Sequence, residues 1–449
     1  MGFFLTFLLC SLVSILIYGF VIYFIDKLVI SMKFSDINII SYNIYIQVGV
    51  FCLLGSVLFV SGIINDDIFF KMTSLSSRIH AFFSLFSSLV LFAIFLWIYS
   101  KLFSKLTIPR VNNEDKLKTN TTTIFLWTLL LIDILLVVYV YMGLDEIPLL
   151  ELISGDYKKA AILRIQNTES FNGINLIYNV FAKYYIPSVS LILYFINKKT
   201  GNSYKWLYRF SLVITIFFLL HDIQKAPVLN FIISIILINI FSNGFKMKFI
   251  RYVFYIIIAS IVIYGLAKGI GFDQLEYLLY RVGRRIFISQ VAGLFLSFEF
   301  FPAFETFQYT LQGAPSFLLN LVGLDDVNSA RDIMVRIEGN ALEAGVMNSY
   351  YMSGAWASYG YLGYFLGPFI VSLNYFLIHK LFFSYRRYLF IGIPLYFSFV
   401  VRLVFTADFK LFAFFTCLSI PLLFYFGFIF LHIISNFIYN SIKSKSHNL

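Results

Sequence analysis

Apolar stretches of about twenty residues recur along almost the whole chain, and that repetition decides most of what it can fold into. About twenty helical residues cross the hydrocarbon core of a bilayer. The chain has 449 residues, of which 60% are hydrophobic and only 13% charged. Its mean hydropathy is +0.85, more apolar surface than a soluble domain of this size can hide. A transmembrane β-barrel needs alternating segments of about ten residues, and the sequence has none. The expected fold is therefore an all-α polytopic integral membrane protein. About eleven spans are expected, near 3–24, 42–64, 82–100, 123–143, 175–196, 206–220, 227–242, 252–268, 356–378, 389–405 and 411–433. Residues 1–449 read as one membrane domain, with no repeat period and no soluble domain.

Basic residues recur in alternate short loops. They fall at Lys101–Lys118, at Lys198, Lys199 and Lys205, at Lys246–Arg251, at Lys380–Arg387, and at Lys443 and Lys445 in the tail. Positive residues in short loops mark the cytoplasmic side, so these loops are expected there. They also account for most of the net charge of +11, which removes the case for a nucleic-acid partner. Three segments are then external: 144–174, 221–227 and 269–355. The last contains the apolar runs Ile286–Phe301 and Ala314–Leu324, expected as helices lying at the membrane interface. The opening MGFFLT formally fits an acylation pattern but runs straight into an apolar helix, which reads as a retained span. Cys10, Cys52 and Cys417 lie inside expected spans, without disulfide or zinc spacing, and read as small packing residues.

The external segments hold the residues that can carry chemistry. Arg281, Arg284 and Arg285 are spaced i, i+3 and i+4, one face of an α-helix. Three neighbouring cations repel unless an anion bridges them. A phosphate or pyrophosphate fits the guanidinium fork, and contact with anionic lipid headgroups is the plainer alternative. Lys225 sits in the tight turn His221–Pro227, where a helix start adds a favourable dipole for an anion. A local Asp222–Lys225 pair is the alternative there. In the first external segment Asp156, Lys158, Lys159 and Arg164 are either solvated or part of a site, with Lys183 at the edge of the next span. Arg331, Arg336, Asp332, Glu338 and Glu343 cluster before a run rich in glycine and aromatics. One of these carboxylates, with Glu343 favoured, is a candidate base for a sugar hydroxyl; Glu338 pairing with an arginine is the structural alternative. Arg402 lies within an expected span, close to its external end, before Asp408 and Lys410. No Walker loop, HExxH, GxSxG or buried proton-relay series appears, so any energy for a reaction comes from the substrate itself.

The arginine-rich external loop, the Lys225-Ala-Pro turn between two spans and the Asn348–Gly367 run together resemble the bacterial Wzy-type O-antigen or oligosaccharide repeat-unit polymerases. The likeness is one of architecture over the whole chain. An Arg-x10-Gly loop pattern described for some members is absent: the eleventh residue after Arg281 is Ala292, and after Arg336 it is Met347. The related ligases carry a histidine motif before a late span, and Glu343–Tyr351 has no histidine. The resemblance implies a GT-C-type glycosyltransferase in the bacterial inner membrane, with its active site facing the periplasm. It would join undecaprenyl-pyrophosphate-linked oligosaccharides into O-antigen or capsule, with no cofactor and no metal. Arg281, Arg284 and Arg285, helped by Arg164, Lys225 and Arg336, would bind the pyrophosphate; Arg284 and Glu343 would be catalytic. Membrane lipid and a chain-length-regulating copolymerase are the further partners implied. A ligase and a flippase for lipid-linked oligosaccharide are the alternatives.

Overall fold

The computed structural model describes residues 2–109, 119–169, 171–246, 251, 258, 274–301, 309–324, 327–339 and 346–446. Among these residues every regular element is a helix and no strand occurs. Eight helices are long and apolar enough to cross a membrane: Phe4–Leu28, Ile39–Ser61, Leu75–Leu102, Asn120–Met142, Ile177–Lys199, Ala226–Asn243, Met352–Ser384 and Thr416–Ser444. Their outward faces carry large apolar side chains such as Leu9, Ile15, Trp127 and Phe437, each more than half exposed. A surface like that suits lipid and not water. The protein is a polytopic α-helical membrane protein.

Two of the other expected spans form shorter helices. Lys205–Leu220 has 16 residues, and its exposed Trp206, Phe210 and Val213 give it an apolar outer face. Leu389–Val400 has 12 residues, nearly all buried, and works as an interior packing helix. The expected span 252–268 lies outside the described residues.

The chain divides into two compact units, each built from separated segments. Unit 1 comprises Met1–Ile108, Gly244–His379 and Leu403–Leu418; unit 2 comprises Pro109–Asn243, Lys380–Arg402 and Ser419–Leu449.

In unit 1 the span Ile39–Ser61 winds as a π-helix over Asn43–Cys52. Its polar residues serve the non-helical stretch after Arg402. Asn43 donates to the Leu403 carbonyl (3.0 Å) and accepts from the Phe405 N–H (2.8 Å), while Gln47 accepts from the Thr406 hydroxyl (2.7 Å). Irregular backbone within a membrane protein is tolerated when protein groups satisfy it in this way. The described parts of segment 269–355, expected to be external, include packed helix. Ser289–Phe300, expected at the interface, is instead interior: Val291, Ala292, Leu294, Phe295 and Leu296 are fully buried. Phe295 stacks on Phe59, and Phe298 on Trp356, each at 4.4 Å between ring centroids. The period of the run gave apolar residues on every side, and a helix of that kind belongs in a core. Ser316–Val322 keeps an exposed apolar end, with Leu321 84% accessible. Buried Gln312 ties the segment down, donating to the Gly354 carbonyl (3.0 Å) and Ser358 Oγ (2.7 Å) and accepting from Ser329 Oγ (2.9 Å).

In unit 2 the central element is Lys183–Lys199, which packs against Lys205–Leu220 on one side and Leu389–Val400 on another. Thr215 donates to the Ile186 carbonyl (3.4 Å), Ser234 to the Phe397 carbonyl (3.2 Å), and Tyr185 to the Leu129 carbonyl (3.2 Å). Segment 144–174, expected to be external, carries two short helices, Pro148–Ser154 and Tyr157–Glu169.

Candidate functional site

In unit 1 the sequence-predicted arginines are placed by the helix Leu275–Gly283 and the π-turn Arg284–Ile288 that continues it. Arg284 keeps αR backbone and closes the α-helix, its N–H bonded to the Tyr280 and Arg281 carbonyls, before the wider π-turn begins. Arg284 forms an ion pair with Asp67, Nε to Oδ2 at 2.5 Å, and stacks over Phe69 at 4.6 Å. The Asp67 side chain is only 3% accessible and that of Arg284 22%. Asp67 also caps the helix Ile68–Lys71 through the Phe69 N–H, so it is held from two directions. The anion that Arg284 needs is therefore supplied by its own chain. Gly55 lies against the Phe287 carbonyl and Val291, so the π-turn is wedged directly onto the span Ile39–Ser61.

The other members of this group go separate ways. Arg281 lies over Tyr277 at 5.6 Å, and its buried Nε has no hydrogen-bond partner among the described residues. Arg285 is exposed. Arg336 donates to the Phe300 carbonyl (2.9 Å) and stacks over Phe300 and Phe301, tying Ser329–Glu338 to the end of Ser289–Phe300. Asp332 accepts from the Tyr309 hydroxyl (2.6 Å). Glu343 lies outside the described residues.

Unit 2 brings together residues that the sequence scatters. Lys183 opens its helix, at the end opposite Lys198 and Lys199. His221 and Asp222 follow the helix Lys205–Leu220, and Lys225 starts the helix Lys225–Asn243. Arg402 closes the turn after Leu389–Val400. Arg164 comes from Tyr157–Glu169. The side chain of Lys225 lies outside the described residues.

Asp222 is the centre of this group. It is 4% accessible, and it faces His221, Lys183, Arg164 and Tyr178. Gln224 donates to its Oδ2 at 2.7 Å, and its buried Oδ1 has no hydrogen-bond partner among the described residues. Burial pushes the carboxyl above its ordinary range, against the pull of His221, Lys183 and Arg164. His221 is buried too, and burial lowers its pKa. Its Nδ1 faces the Phe218 carbonyl, which fixes the proton on that nitrogen; Nε2 then accepts from the Tyr178 hydroxyl at 3.2 Å. Lys183 donates to Asn179 Oδ1 at 2.9 Å and lies over the Tyr178 ring at 4.4 Å. Arg402 donates to the Lys183 carbonyl at 3.1 Å and stacks over Tyr184 at 4.3 Å, pinning the first turn of that helix.

The turn itself is strained. Ile223 adopts φ 55°, a left-handed conformation that a β-branched residue rarely takes. Such strain persists only where surrounding contacts impose it. The Leu149 N–H donates to the His221 carbonyl (3.2 Å), so the helix Pro148–Ser154 braces the turn. In that segment Lys159 pairs with Glu146 at 2.6 Å and Glu151 at 3.2 Å, a local structural use.

Sequence reasoning missed two of these features. In the sequence Asp222 stands beside Lys225, where a local pair is the alternative to an anion site, and its conjunction with Lys183 and Arg164 is tertiary. Asp133, inside the span Asn120–Met142, is wholly buried, and neither carboxylate oxygen has a hydrogen-bond partner among the described residues. A single acid in an apolar helix was a signal available from the sequence.

The arrangement in unit 2 can hold an anion by Lys183 and Arg164 and present a carboxylate beside it. No protein-family model, curated protein or solved structure matches this chain.

Proposed function

We propose that the protein is a polysaccharide polymerase of the GT-C type. It joins undecaprenyl-pyrophosphate-linked oligosaccharide repeat units into a surface polysaccharide on the outer face of the bacterial inner membrane. The observation that carries this reading is the unit 2 cluster: cations and a buried carboxylate gathered at the end of a membrane-embedded bundle opposite its basic short loops. The same end is the external one under the positive-inside rule.

The chemistry follows from the charges. When the glycosidic bond to pyrophosphate breaks, negative charge grows on the leaving group. Lys183 and Arg164, held before the reaction begins, stabilise that charge more in the transition state than in the ground state. The energy for polymerisation resides in the glycosyl pyrophosphate, so no nucleotide is consumed. Arg281 and Arg285 of the long external segment are retained as contacts for the lipid-linked substrate, and Arg284 and Arg336 as structural residues.

The test is reconstitution of the purified protein in vesicles with a synthetic undecaprenyl-pyrophosphate repeat unit, reading product length on a gel. A ladder formed without nucleotide sugar is expected. Intact substrate and no ladder would turn attention to the flippase reading, which buried Asp133 favours, since intramembrane acids mark transport pathways. Transbilayer movement of the same substrate in the same vesicles then decides for or against it.

A further inference from the structure

We infer that Asp222 is the general base that takes the proton from the acceptor sugar hydroxyl. This inference rests on the polymerase reading above and assigns the catalytic carboxylate to unit 2 in place of Glu343. Three observations select Asp222. Its Oδ1 is buried without a hydrogen-bond partner among the described residues, while Gln224 holds Oδ2 at 2.7 Å and fixes the direction of the carboxylate. Lys183 and Arg164 lie close enough to act on it electrostatically, so acid and cations are gathered in one region of unit 2, as a glycosyl transfer from a pyrophosphate requires. His221, the other group able to accept a proton there, has both ring nitrogens engaged, by the Phe218 carbonyl and the Tyr178 hydroxyl. The strained Ile223 shows that packing, and not local backbone preference, sets where Asp222 stands.

The acceptor O–H bond breaks, and its proton passes to Asp222 Oδ1. The hydroxyl oxygen forms a bond to the anomeric carbon of the donor glycan. The bond from that carbon to the pyrophosphate oxygen breaks, and its electron pair leaves on undecaprenyl pyrophosphate beside Lys183 and Arg164. Asp222 then releases the proton to water. Burial helps, because a base works best when its pKa approaches the operating pH.

The experiment measures elongation and donor binding with the synthetic lipid-linked repeat unit in vesicles, for the wild type, Asp222→Asn and Asp222→Glu. Asp222→Asn should elongate about a hundredfold more slowly while its donor affinity changes less than about threefold. Asp222→Glu, which keeps the carboxylate one methylene further out, should recover at least about a tenth of the wild-type rate. Formate added to Asp222→Ala should restore part of the lost elongation by supplying an external base. Elongation by Asp222→Asn at the wild-type rate overturns the assignment and leaves the polymerase reading standing. Equal losses of donor binding and elongation in Asp222→Asn also overturn it, since they make Asp222 a binding or structural group. Should Asp222→Asn fail to fold, Asp222→Glu decides: folded protein that binds donor but elongates less than about a thousandth as fast refutes the base role. A wild-type protein that binds donor and makes no ladder removes the polymerase reading, and this role with it.

Discussion

The two units treat their cations in opposite ways. In unit 1 the most conspicuous motif of the sequence, Arg281-Val-Gly-Arg-Arg, places its middle arginine against buried Asp67 and the ring of Phe69. Arg336 likewise serves a carbonyl and two rings of its own unit. In unit 2 the cations Lys183 and Arg164 are single residues in ordinary sequence, and both act electrostatically on the carboxylate of the strained turn. A run of arginines in one stretch of chain therefore says less about a ligand than cations drawn from several helices to one acid. Arginine at a helix surface finds rings and carbonyls easily, because its planar fork stacks and donates at once. An acid left with an unpartnered oxygen beside cations is the rarer arrangement.

The sharpest way to break this contrast is Arg284→Ala. It removes the partner of Asp67 and leaves a nearly inaccessible carboxylate uncompensated. Loss of one member of such a pair costs about 3 kcal/mol. The expected result is a large drop in thermal midpoint in detergent, with elongation per folded molecule close to wild type. A stable Arg284→Ala protein with abolished elongation would return Arg284 to the catalytic role that its sequence implied.

Lys183→Ala tests the other side. Its ammonium is the nearest cation by chain position to the Asp222 turn's partner Tyr178, lying over that ring. Removing a donor that stabilises developing charge slows a reaction about a hundredfold. Elongation should fall by that factor while the unfolding midpoint shifts little, since Arg402 grips the Lys183 backbone carbonyl and not its side chain. A purely structural Lys183 would show the reverse.

Gly55→Ala comes next. A Cβ at this position meets the Phe287 carbonyl and stands 2.7 Å from Val291 Cγ1. Overpacking a core of this kind costs about 2 kcal/mol. The wedge between the span and the π-turn should loosen, lowering the unfolding midpoint and leaving the pH dependence of elongation unchanged.

How much of this was legible in the sequence differs by level. The spans were, because twenty apolar residues leave few other folds, and Phe4–Leu28, Leu75–Leu102 and Asn120–Met142 lie close to where hydropathy put them. The interior place of Ser289–Phe300 was not, because it packs on Leu75–Leu102, far earlier in the chain, and on Met352–Tyr359, well after it, contacts that no local pattern shows. The π-turn at Arg284 was invisible too, since no residue type marks one. Asp67 is 217 positions from Arg284, beyond the reach of any local pattern. Lys183, Arg164, Lys225 and Arg402 were each visible as cations at the ends of apolar runs. That Lys183 and Arg164 both act on Asp222 required the fold.

The smallest expected effect bears on the turn itself. Ile223 is held left-handed between Asp222 and Gln224, and the conformation costs an L-residue about 1 kcal/mol. Asparagine tolerates that region far better, because its short polar side chain bonds locally. Ile223→Asn should therefore raise the unfolding free energy by about 1 kcal/mol, less whatever the half-buried isoleucine side chain contributes to packing. If the strain fixes the Asp222 carboxylate, relieving it lets the turn sample other positions, and elongation falls severalfold even as stability rises. A gain in stability with an unchanged elongation rate would make the strain incidental. It would leave Gln224 and the bracing Leu149 N–H as the elements that set the geometry of unit 2's site.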